Sequence, residues 1–280
     1  MNNICLSSLR FYDEHYQARQ KFRNGKTLDE NGKLYIFPSQ ALESYKGNVA
    51  NPVEVVAGLR ACLNTLLSLE LPYISPEDKQ YYRELLERVP EMPFGQLEGH
   101  RVMRPAEVYT PKTDGRGKEA PQYYPLFPYN MYSLLDDEIE TFQNTWKYDR
   151  SIRYSHVSWH QNGIFLARMG KVEEAFEFHY KKLGDTTTRD LRFPTYWGPG
   201  YDGIPDHNWG GSGMIGLQEM LMQCIGDKIL ILPCWDPAVD VDFKLHAPGK
   251  TVVEVSFRNG KIQDIQVTPE HRKKDVVMIN

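Results

Sequence analysis

The hydrophobic period of this chain changes once, and that change limits what each part can become. Up to about residue 226 apolar side chains recur at helical spacing, and beyond it they alternate with period two. Lys228–Leu232 and Phe243–His246 read as strands. Thr251–Phe257 (TVVEVSF) and Ile262–Val267 flank Asn259-Gly260, a pair that suits a type I′ turn because both residues tolerate positive φ. The pattern predicts a helical body over 1–226 and a small antiparallel β domain over 227–280.

Within the body, Asn51-Pro52-Val53-Glu54 reads as an N-cap, a proline at the first helical position and a capping-box glutamate. The helix it opens carries Val53, Val56, Leu59, Leu63, Leu66 and Leu67. Ser75-Pro76-Glu77-Asp78 starts a second helix in the same way, running to about Val89. Pro90–Tyr129 reads as a long loop rich in proline, glycine and charge, of the kind that is functional or disordered. Helices are predicted again at Tyr132–Tyr148 and Val157–Met169, the latter stopped by Gly170. Val172–Leu183 follows after a tight turn, as in an antiparallel helical hairpin. The last helix, Ser212–Cys224, sets Met214, Ile215, Leu217, Met220, Leu221 and Cys224 on one face.

A formal charge of −4 gives no general attraction to nucleic acid or to acidic membranes. The N-terminus lacks a signal-peptide pattern, and no apolar run reaches the roughly 20 residues that span a bilayer. The cysteines Cys5, Cys62, Cys224 and Cys234 have no zinc or disulfide spacing, and Cys62 and Cys224 fall on apolar helix faces. Asp236, Asp240 and Asp242 lack calcium-loop spacing. No metal and no cofactor is expected.

Chemistry concentrates in Pro205-Asp206-His207-Asn208-Trp209-Gly210-Gly211-Ser212-Gly213, which sets a carboxylate, an imidazole, an amide and an indole ahead of the last helix. Its glycines read as positions for positive φ and for close approach of a ligand. The alternative is that Asp206 or Asn208 simply caps the helix. Just upstream, TYWGPGYD brings Trp197 and Asp202. Trp197 and Trp209 are candidate stacking platforms for the apolar face of a sugar, or else core and hinge aromatics. His160, in VSWHQNG, is a candidate substrate contact or a satisfied core histidine.

Several blocks in order, FPSQALESY (37–45), NPVEVVAGLRACLNTLL, PEMPFGQLEGHRV, QYYPLFPYNMY, VSWHQNGIFLARMGKVEEAFEFHYKKL and PDHNWGGSGMIGLQEMLMQ, together resemble glycoside hydrolase family 95. That family contains α-L-fucosidases and α-L-galactosidases built on an α/α six-hairpin toroid. The resemblance implies a mainly α fold, the C-terminal part of such a toroid over 1–226, followed by the terminal β domain. It implies an inverting, exo-acting hydrolase of glycans, with Glu43 of Pro38-Ser39-Gln40-Ala41-Leu42-Glu43 as general acid and Asp206 in water activation. Inversion needs two carboxyls about 6.5–9.5 Å apart to admit the water. Asn208, His207, Trp209, Trp197, His160, Asp202 and Tyr123 are the expected substrate contacts.

Two departures qualify what carries over. The family's N-terminal β domain and first toroid hairpins have no counterpart ahead of Met1, so a missing N-terminal half is one expected partner. The family's His/Arg-rich sugar segment is replaced by Gln122-Tyr123-Tyr124-Pro125-Leu126-Phe127, which leaves the sugar open. The alternative reading is a truncated homologue that binds carbohydrate without catalysis.

Overall fold

The computed structural model describes residues 2–70, 74–111, 119–151, 154–157, 159–184 and 208–279. Its contacts divide the chain into two units, Met1–Met131 with Glu140–Arg153, and Tyr132–Ile139 with Tyr154–Asn280.

The first unit opens with α1 (Asn2–Asn24), a helix for which the sequence reading had no element. It ends where Gly25 takes φ +79° and its N–H donates to the Lys21 carbonyl, a left-handed helix stop that glycine adopts without strain. β1 (Ser39–Ala41) and β2 (Tyr45–Pro52) then pair antiparallel. α2 (Val53–Ser68) and α3 (Pro76–Arg88) follow. Leu9, Leu34, Ile36, Val56, Leu59, Leu63, Tyr82 and Leu85 form one buried cluster among these elements. Each such side chain contributes about 1.5–3 kcal/mol by leaving water. Residues 34–37 alternate: Leu34 and Ile36 are fully buried, whereas Tyr35 and Phe37 stay half-exposed on the opposite side.

Ser75 caps α3 as expected, its hydroxyl accepting the Asp78 N–H at 3.0 Å with Pro76 at the first helical position. The start of α2 differs. Pro52 is its cap residue and makes no side-chain capping bond, while Asn51 sits at φ +52°. The Asn51 amide accepts the Ile36 N–H and donates to Glu107, so it ties strands together rather than opening the helix.

The expected long loop also carries structure. β3 (Phe94–Leu97) and β4 (His100–Met103) form a hairpin turned at Glu98-Gly99, and β5 (Ala106–Val108) adds to β2. Of the helix expected over Tyr132–Tyr148, only α4 (Ile139–Tyr148) is helical.

In the second unit α5 (Asn162–Arg168) and α6 (Val172–Gly184) form the expected hairpin, turned at Gly170 with φ +67°. α7 (Asn208–Leu221) packs on both. It begins four residues earlier than the sequence pattern indicated. It ends at Leu221, because the expected last turn belongs to β6 (Met222–Ile225).

β7 (Lys228–Ile231) pairs antiparallel with β6. β8 (Val241–Ala247), β9 (Thr251–Arg258) and β10 (Lys261–Thr268) form a meander. β11 (Val276–Met278) returns to pair parallel with β7. The β9–β10 turn is Asn259-Gly260, with φ +51° and +73°, as the sequence indicated. Alternate residues of β9, among them Val253 and Val255, join Met222, Ile229, Ile231 and Val267 in one apolar cluster, so two small sheets share a core.

These elements overturn the mainly α, six-hairpin toroid expectation. Among the described residues helix makes up 43% and strand 23%, and the strands fall in four separate small sheets. Much of the error lies in 39–52 and 94–108, where pairing partners far along the chain draw strands from segments whose local pattern reads as cap or loop. Cys62 is likewise exposed rather than a core residue.

Candidate functional site

The carboxyl group with the most unusual setting is Glu54, in the first turn of α2. Its neighbours Val53, Val56 and Ala57 are fully buried, and the glutamate goes in with them at 7% exposure. Oε1 accepts the Leu42 N–H at 3.0 Å, whereas Oε2 is buried with no hydrogen-bond partner. Burial pushes its pKa up to about 7; the backbone N–H groups of Glu54 and Leu42 oppose the rise, and the Glu119 charge adds to it. A carboxyl so placed is shared between its acid and carboxylate forms near neutral pH.

The segment predicted to hold the general acid supplies the rest of this setting. Leu42 takes φ +47°, a backbone state that non-glycine residues rarely adopt, and in it the N–H meets Glu54. The next residue, Glu43, is exposed; its N–H donates to Glu119 Oε2 at 2.6 Å. Ser44 Oγ donates to the Glu119 carbonyl at 2.7 Å and accepts the Glu119 N–H at 2.8 Å. Glu119 is thereby fastened, backbone and carboxylate together, to residues 43–44.

Two tyrosines complete the cluster. Burial, with the charges of Glu119 and Glu54, pushes the Tyr124 phenol up to about 12. Tyr129 feels burial first, then Cys62 and Glu54. It lies against Gly58, one helical turn beyond Glu54, where a Cβ would meet the phenol oxygen at 2.8 Å. Both phenols therefore stay neutral hydrogen-bonding groups beside the buried acid. The sequence pattern gave Glu54 a capping role and treated Glu119 as loop charge. The available signal was the company of Glu54, a lone carboxylate inside the apolar run VEVVAGL.

Of the other expected site residues, Asp206, His207, Asp202 and Trp197 lie outside the described residues. The others belong to separate places. Tyr123 is fully buried, edge-on to Trp146, in the first unit. His160, in the second, donates through Nδ1 to the Val157 carbonyl, 2.8 Å away, and stacks on Trp159. Asn208 is exposed at the start of α7 and its carbonyl accepts the Ser212 hydroxyl. Trp209 is only 3% exposed, with its indole N–H on the Lys182 carbonyl at 2.7 Å, so its ring serves α6–α7 packing.

No family model and no curated protein matches this chain. Among the described residues no three His, Cys, Asp or Glu side chains are grouped to hold a metal ion. Nor is any described helix long and apolar enough to cross a membrane.

The glycines of the DHNWGGSG segment have a different role from the expected one. Gly213 and Gly216 are buried on the face of α7 that carries Trp209, Ser212 and Met220, while Met214 and Ile215 point to solvent. A Cβ on Gly213 would come within 2.8 Å of Leu183, and one on Gly216 within 2.0 Å of His179 Nε2. His179 is itself buried, its Nδ1 hydrogen-bonded to the Ala175 carbonyl at 2.7 Å, and burial lowers its pKa, so the imidazole packs as a neutral ring.

Gly216→Ala is expected to destabilise the protein by about 1–3 kcal/mol through this clash, despite the better helix propensity of alanine. Gly211, whose Cβ would meet nothing within 4 Å, provides the control. Urea denaturation should show Gly211→Ala neutral or more stable and Gly216→Ala weaker. Equal midpoints for the two variants would contradict the packing role.

Proposed function

We propose that this protein hydrolyses O-glycosyl bonds, with Glu54 as proton donor and Glu119 as the carboxylate that takes a proton from water. The observation that carries the reading is Glu54 itself: buried, with one oxygen unpartnered and its pKa pushed up to about 7. Such a group can hold its proton at neutral pH and deliver it to a poor leaving group. The block FPSQALESY supports the same chemistry, since Leu42, Glu43 and Ser44 are the residues that hold Glu54 and Glu119.

In the step proposed, the Glu54 proton passes to the glycosidic oxygen as its bond to the anomeric carbon breaks. Water adds at that carbon and gives its proton to Glu119. The products are the freed alcohol and a reducing sugar, and the proton on Glu119 returns to Glu54 through solvent. In this assignment Glu43 positions Glu119 through its backbone N–H, and its exposed side chain is available to the substrate.

The test is release of phenol and reducing sugar from aryl α-L-fucosides, α-L-galactosides and other pyranosides across pH. An essential acid must be protonated to act, so kcat/KM is expected to fall as pH rises through about 7. A folded protein that cleaves none of the panel, or cleaves it with no loss of rate above neutral pH, would remove the proposal.

A further inference from the structure

Beyond the carboxyl cluster, the first unit has a second place suited to a ligand. At the end of α1 a cleft of about 760 Å³ opens between the helix and the Tyr35–Phe37 segment, within the size range of small-molecule sites. The alternation of residues 34–37 makes one wall: with Leu34 and Ile36 committed to the core, Tyr35 and Phe37 are left to face the cleft. Their rings lie 5.8 Å apart. Arg23 is held above them, 4.7 Å from the Phe37 ring and 6.0 Å from the Tyr35 ring, and it also donates to the Phe37 carbonyl.

Gln20 also lines the cleft. The residue is 6% exposed overall, and its amide, which makes no hydrogen bond among the described residues, is open to the cleft. Near it Glu107 has one oxygen engaged by the Asn51 amide at 2.6 Å. The cleft therefore offers an unused amide that both donates and accepts, a guanidinium that donates, a carboxylate that accepts, and aromatic edges.

Charge selects among possible ligands. Arg23 and Lys26 repel a cation, while Asp29, Glu30 and Glu107 repel an anion. A neutral molecule with many hydroxyls meets neither objection, because each hydroxyl donates and accepts, and its C–H face suits an aromatic wall. We infer that this cleft is a binding site for a neutral pyranose, with Gln20, Arg23 and Glu107 holding its hydroxyls against Tyr35 and Phe37. A sugar ligand agrees with the proposed hydrolysis, and the groups that select it belong to the cleft itself.

The experiment uses methyl α-L-fucopyranoside, methyl β-D-galactopyranoside, methyl β-D-glucopyranoside and methyl β-D-xylopyranoside as probes. Binding is followed by saturation-transfer and chemical-shift NMR on the full chain carrying Glu54→Gln, which prevents turnover. At least one probe is expected to bind with Kd on the order of 1–10 mM and to perturb the Tyr35 and Phe37 rings. Gln20→Met fills the same space without the amide, so it should leave folding intact and weaken binding about tenfold. Arg23→Lys keeps the charge, loses the planar fork, and should weaken binding as well.

Absence of ring shifts with every probe, or unchanged affinity in both variants, would overturn the inference. So would tighter binding of sulfate or of tetramethylammonium than of any pyranoside. Binding here without hydrolysis by the wild type would defeat the proposed function and leave this site standing; hydrolysis without binding here would do the reverse.

Discussion

Glu54→Gln is expected to lower turnover of glycosides by about 10²–10⁴-fold, the usual contribution of a positioned general acid. The same change should make the protein more stable in mild alkali. The folded-state pKa of Glu54 stands near 7, raised mainly by burial from a reference of 4.5. A raised carboxyl favours the folded state while it is protonated, and that advantage disappears as pH climbs from about 4.5 to 7 and the buried group ionises. Glutamine never ionises, and its amide still accepts the Leu42 N–H. Thermal melts should therefore show the variant gaining on the wild type above neutral pH and matching it more closely near pH 4. Lost turnover with increased alkaline stability identifies a site at which folding free energy is given up for chemistry. A variant that keeps its rate, or that melts lower at every pH, would show Glu54 to be structural only.

The second large effect concerns the network that joins α1 to α3. Asp13, whose side chain is 3% exposed, receives four donors: Arg88 through Nη2 at 2.7 Å and Nε at 3.2 Å, the Tyr81 hydroxyl at 2.7 Å and the Gln17 amide at 2.7 Å. Asp13→Ala leaves the largely buried Arg88 with the exposed Glu84 carboxylate at 4.0 Å in place of the buried one. Losses of about 3–5 kcal/mol follow when one member of such a pair is removed, and Arg88, at 19% side-chain exposure, places the expectation at about 3 kcal/mol.

The sign with pH is opposite to that of Glu54. Burial tends to raise the Asp13 pKa, but the hydrogen bonds from Arg88, Tyr81 and Gln17 outweigh it and hold the pKa below 3.8. The stabilisation is thus complete above that reference value and disappears as pH falls through the lower, folded-state pKa. Urea midpoints should separate wild type and variant widely at neutral pH and draw together in strong acid. A gap that did not narrow would show that packing rather than the ion pair is responsible.

Punctuation by single residues was legible in the sequence. Ser75-Pro76, Gly170 and Asn259-Gly260 each impose a local backbone geometry, and each produces the cap or turn it indicates. Features set by distant partners were not. Asn51 has a capping residue's local sequence, yet the Ile36 N–H and Glu107 determine its role. Glu43 and Glu119 stand 76 residues apart, so the cluster around Glu54 leaves no trace in spacing. The α7 face was misread because helical periodicity weighs large apolar side chains, whereas here small ones are buried, for closeness to His179 and Leu183. The PSQALES block lies against the buried acid, which stands eleven residues beyond Glu43 in the helix that follows.

The glycine face of α7 also bears on the order in which the second unit assembles. Four of its fourteen residues are glycine, each disfavouring a free helix by about 1 kcal/mol relative to alanine. An isolated segment of that length and composition does not hold a helix in water. α7 can therefore become helical only on a surface already laid down by α5 and α6, where His179 waits for a backbone without side chains. The segment is a follower in folding: it acquires its shape from its neighbours, and any event that parts α5 from α6 dissolves it first.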